Sequence, residues 1–229
     1  MDRPVLSPTE RRAYTAILIV SAAGSLLAMA HHPHLKGGAA LPIAAQLRAV
    51  ARTSRTVHSV AITIILLQLT GFVGFSRFLG TQRPVVVAGL VAWAGGSFAM
   101  ILAAVINGFA LPRLGYSAIR DDQLRALLLF GWTINQVLTA LGLFVWAGAV
   151  ALWATALALE PSRVAKGIAV ITATSALVAG IGIATGLAQE SGTSFMILMG
   201  GFALWTAIAG ALIISDKLSA GDMADARSR

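Results

Sequence analysis

Residues His31 to His58 read HHPHLKGGAALPIAAQLRAVARTSRTVH, and the fold turns on what this stretch separates. It lies between the first two apolar runs, 14–30 and 57–75, and holds all four histidines of the chain. Four more apolar runs follow, at 85–111, 124–159, 164–187 and 195–215. Each reaches or exceeds the roughly 17 residues that cross a bilayer as a helix.

Composition agrees. Apolar residues make up 57% of the 229 and charged residues 11%, with a mean hydropathy of +0.82. Ordinary soluble domains carry about 25% charged residues. The Lys, Arg, Asp and Glu side chains fall between or beyond the apolar runs or in their first or last turn, as hydrocarbon requires when it rejects charge. The expected fold is therefore all-α, a polytopic membrane helix bundle of six transmembrane helices, forming a single transmembrane domain over 1–229.

Inside the opening stretch, Gly37-Gly38 marks a turn and Pro42 suits the start of a helix. From there Ile43, Leu47, Val50, Ser54 and Val57 share one side, while Arg48, Arg52 and Arg55 share another. This pattern predicts an amphipathic helix over 42–56, lying in the membrane interface with its arginines toward lipid phosphates. Ala28-Met29-Ala30 has the form of a signal-peptidase site, but the run before it exceeds a signal peptide's apolar core of about 7–15 residues. The first helix is expected to stay in place, and 218–229 forms a polar tail.

An even number of spans puts both termini on one side. That side carries ten Lys and Arg: Arg3, Arg11, Arg12, Arg77, Arg83, Arg163, Lys166, Lys217, Arg227 and Arg229. The other carries seven, three of them in the interfacial helix. The bias predicts a multi-pass protein of the cell membrane with cytoplasmic termini. It also accounts for the net charge of +8 without nucleic acid as a partner. Membrane lipids are the expected partners, with a small molecule and other membrane subunits as further ones. With no cysteine, disulfides, iron–sulfur clusters and thiolate metal sites are excluded.

The topology brings His31, His32, His34 and His58 to one face, and the other two loops there supply Asp121, Asp122, Gln189 and Glu190. Imidazole with carboxylate is a donor set for zinc, iron or copper, and a lone imidazole suits haem. His58 is the sharpest candidate because it heads an apolar helix and needs a polar partner; it could also pass a proton. The competing reading leaves the histidines solvated at headgroup level. Within the runs stand Gln68, Asn107, Thr133, Asn135 and Gln136. Trp132, Asn135 and Gln136 share a helix face by spacing and suggest a pocket for a quinone-like headgroup, against interhelical hydrogen bonding worth about 0.6 kcal/mol each.

No phosphate-cradling glycine motif, nucleophile elbow or acidic membrane pair is present. The histidine–proline step His32-Pro33 closing the first run, the amphipathic segment after it and Val57-His58 opening the second resemble a group of uncharacterised small bacterial six-span membrane proteins. That resemblance implies a layout and no activity. The functional expectation is small-molecule or cofactor binding (haem, divalent metal or quinone-like) at the outer face around His58, and, if enzymatic, a membrane oxidoreductase. A transporter and an accessory subunit of a larger complex are the alternatives.

Overall fold

Ser7 and Glu10 cap each other reciprocally and start the first helix, α1 (Pro8–Ala30), ahead of the apolar run that defines it in the sequence. The computed structural model describes residues 6–31, 43–117, 122–186 and 192–215, and among these there is no strand. After α1 come α2 (Ile43–Leu79), α3 (Pro84–Val105), a π-turn (Ile106–Ala110), α4 (Leu111–Ser117), α5 (Asp122–Ala158), α6 (Arg163–Ala184) and α7 (Gly192–Ser215). Six helical stretches are long and apolar enough to cross a membrane: Pro8–Ala30, Ala51–Leu79, Pro84–Leu114, Ala126–Ala158, Arg163–Ala184 and Thr193–Ser215.

Two boundaries differ from the sequence reading. The amphipathic helix expected over 42–56 is not a separate element: α2 runs unbroken from Ile43 to Leu79, so the segment continues the span as its first turns. No glycine or proline lies between the amphipathic pattern and the apolar run to part them. The third run passes through Pro112 instead of stopping there, because the π-turn just before it rearranges the backbone hydrogen bonds.

Packing follows the chain. α1 lies between α2 and α7, α2 meets α3, α3 meets α5, and α5 meets α6, whereas α6 only brushes α7. Glycines set the closest approaches. A Cβ on Gly96 of α3 would lie 2.8 Å from the Gly142 carbonyl oxygen of α5, so these backbones nearly touch. The same antiparallel register seats Trp146 against Gly96 and Trp153 against Gly89. Between α1 and α2, Leu18 sits on Gly71 and Tyr14 on Gly74.

The glycine seats let tryptophans fill the middle of the bundle. Trp93 stacks on Trp146 at 4.7 Å, Trp153 stacks on Phe72 at 4.8 Å, and Phe75 meets Trp153 and Trp205 edge-on, each at 5.7 Å. The Trp146 indole N–H donates to the Trp93 carbonyl and the Ser97 hydroxyl, both at 3.2 Å. This cluster belongs to the half of the bundle that also holds the start of α1 and the end of α7.

Helix length separates that half from the other end. At about 1.5 Å per residue, the 37-residue α2 and α5 are about 55 Å long, against about 35 Å for α1 and α7. The early turns of α2 and α5, with α4 packed on both, therefore stand beyond the ends of α1 and α6. The candidate site sits where this extension begins.

Candidate functional site

His58 occupies the junction of α2 with the π-turn. Its side chain turns into the bundle, 6% exposed, against Gly108, where a Cβ would come 2.5 Å from that of His58. Only glycine allows this approach. The imidazole Nδ1 lies 2.7 Å from the Ser54 carbonyl oxygen one turn back. A carbonyl can only accept, so Nδ1 carries the hydrogen, and in the neutral ring the lone pair is on Nε2.

The π-turn explains its own partner. The Leu111 N–H bonds to the Ile106 carbonyl, five residues back. The next bond of that series would run from residue 112 to the Asn107 carbonyl, but Pro112 has no N–H. Ser54 Oγ donates to that carbonyl instead, at 3.2 Å, and lies 3.2 Å from His58 Nδ1. Ser54, 4% exposed, thus ties the widened turn to the histidine. π-turns of this kind occur often at functional sites.

The α3–α5 register extends the site to a third helix. Leu111 meets Gly131 above this level, and Met100 meets Gly142 below it. Asn107 and Asn135 stand one turn from the first pair and two turns from the second, so they face the same level of the bundle. Asn135 is 4% exposed. Its backbone carbonyl accepts from Thr139 at 2.8 Å, but its side-chain amide bonds to no described residue.

Other expected site residues divide differently. His31 ends α1 at the level of Val57 and His58, but its ring is exposed and bonds to the Leu27 carbonyl at 2.9 Å. It shares a depth with His58 and not a site, because His58 faces α3. Asp122 begins α5, whereas His32, His34, Asp121 and Glu190 lie outside the described residues, as does Gln189. Among the described residues, no three His, Asp or Glu side chains gather as a metal-holding group. The face expected to present Trp132, Asn135 and Gln136 together is divided: Asn135 points in, Gln136 is half-buried, and Trp132 is 51% exposed on the outside of α5.

Two expected polar residues have structural partners. Gln68 donates to Ser25 Oγ at 3.0 Å, which donates to the Ser21 carbonyl at 2.9 Å, joining α1 to α2. Thr133 donates to the Leu129 carbonyl one turn back. The sequence places Ser54 on the less polar side of its helix but gives it no part in the site, and Gly108 is not singled out. Their signals were present: a serine one turn before a histidine, and Asn-Gly followed by a proline inside a long apolar run.

Fold and site together define a bundle of six long apolar helices with one histidine turned inward at a π-turn. No protein-family model matches the chain, and no significant match is found among curated proteins or solved structures.

Proposed function

We propose that this chain is an integral membrane protein whose six long helices span the bilayer, with cytoplasmic termini, and that it binds a small molecule or cofactor near the outer face around His58. The observation that carries this reading is a buried imidazole held at Nδ1 by a backbone carbonyl and packed against a π-turn. That arrangement fixes the ring and its tautomer, with the lone pair on Nε2, the nitrogen that would ligate a haem iron or a divalent metal or accept from a quinol-like hydroxyl. His58 is the ligating or hydrogen-bonding group, Ser54 orients it, and Asn107 and Asn135 are the neighbouring polar groups.

Placement in the membrane rests on the six apolar helices and on the sequence count of ten Lys and Arg on the side expected to carry the termini, against seven on the other. The aromatic packing below the site favours a closed binding site over a transport path. A carrier would have to open the stack of Phe72, Trp93, Trp146 and Trp153 at each turnover.

Protein purified in mild detergent tests this reading through its absorption spectrum, metal content and extractable chromophores. We expect a Soret band, stoichiometric metal or a bound lipid-soluble chromophore, lost in His58→Ala. A bare protein whose stability His58→Ala leaves unchanged would overturn it.

A further inference from the structure

This inference rests on the ligand site just proposed and identifies the chemistry of its occupant. Asn135 carries it: an amide on a residue 4% exposed in an apolar bundle, bonded to no described residue, level with Asn107 and one turn from the Leu111–Gly131 contact. Gln68, on the other side of the bundle, shows how the same chain satisfies an amide for structural purposes, through Ser25 and Ser21. An amide so enclosed and without such a partner is poorly satisfied in the empty protein. Residues that break a local rule in this way collect where a ligand completes them.

We infer that Asn135 binds the ligand's neutral oxygen, a carbonyl or hydroxyl on an otherwise apolar molecule, and so decides which molecules the site accepts. An amide offers two N–H donors and one acceptor, which fits a carbonyl or a hydroxyl equally. Ala104 and Leu111, both buried, stand one turn to either side of Asn107 and Gly108 and give the site apolar walls. Sites that bind a substrate oxygen in this way discriminate strongly against analogues lacking it, because the unpaired polar group is then left buried.

Two measurements on the full chain in mild detergent test this. Thermal unfolding of the empty protein comes first: Asn135→Leu removes the unpaired amide at similar volume and is expected to raise Tm by about 2–4 °C. An unchanged or lowered Tm means the amide is paired within the fold and overturns the inference. The second is binding of 2-methyl-1,4-naphthoquinone, read by quenching of tryptophan fluorescence, with Trp132 one turn from Asn135. Wild type is expected to show saturable quenching, weakened about tenfold in Asn135→Leu by loss of one hydrogen bond. Asn135→Ala, which adds no bulk, should weaken it likewise, so that steric exclusion is not the cause. Quenching that fails to saturate in wild type, or is equal in the variants, overturns the inference. The broader reading falls separately, only if His58→Ala leaves a co-purified ligand and the stability unchanged.

Discussion

Replacing Arg83 with alanine is expected to destabilise the protein by about 3–5 kcal/mol, the usual consequence of taking one partner from a buried ion pair. Arg83 Nη1 lies 2.6 Å from Glu160 Oε1, and the Glu160 side chain is fully buried while that of Arg83 is 28% exposed. The pair ties the turn between α2 and α3 to the turn between α5 and α6, at the end of the bundle that holds the termini. Without Arg83 the buried carboxylate loses the guanidinium 2.6 Å away. The double variant Arg83→Met with Glu160→Gln should recover most of the loss, since it removes the buried charge together with its partner. The Arg77–Glu10 pair is a built-in comparison: it is almost as short, at 2.9 Å, but both side chains are 37% exposed. Arg77→Ala should cost no more than about 1 kcal/mol. Thermal unfolding in mild detergent checks the ranking; equal losses from Arg83→Ala and Arg77→Ala would contradict it.

Trp153→Ala should lower stability by about 3 kcal/mol or more, through the void left between α2, α3 and α5. The indole lies flat on Phe72, meets Phe75 edge-on and rests against Gly89, and it is fully buried. In the proposed membrane setting the transfer contribution would shrink, but the lost packing contacts remain and are the chief source of helix association there. Trp153→Phe is the sharper test. The Trp153 N–H has no hydrogen-bond partner, so a phenyl ring should keep most of the packing at a cost under about 1.5 kcal/mol. Trp146→Phe should cost more, because its N–H bonds to the Trp93 carbonyl and Ser97 hydroxyl. Denaturation of the three variants side by side measures this order, and a Trp153→Phe loss as large as that of Trp153→Ala would contradict it.

The helix count was legible in the sequence because it depends on composition alone: runs without charge, broken by prolines, glycines and charged turns. The depth of His58 was legible too, since a residue heading an apolar run must lie near a bundle end. Direction was not. Whether His58 turns toward His31 or toward α3 depends on the rotation of α2, and that is set by Leu18 on Gly71 and Tyr14 on Gly74, contacts between residues distant in the chain. Glu160 is the clearest miss. Beside Pro161 it reads as a solvated turn residue, and its burial next to Arg83 of another turn is a tertiary contact that local sequence does not mark. The continuity of α2 escaped for a related reason: amphipathic and apolar periodicities both fit a helix, and nothing in residues 43–79 marks where a bend would come.

The contact of His58 with the π-turn is the claim on which the site depends, and the absence of native cysteine makes it directly testable. A chain carrying His58→Cys and Gly108→Cys should form a disulfide under mild oxidation of protein purified in mild detergent. The two Cβ positions lie close enough to reach the roughly 3.5–4.5 Å of a disulfide with a small shift. A chain carrying His31→Cys and Gly108→Cys should not, because His31 lies at the same level on the far side of α2. Failure of the first pair to crosslink, or equal crosslinking of both, would contradict the account.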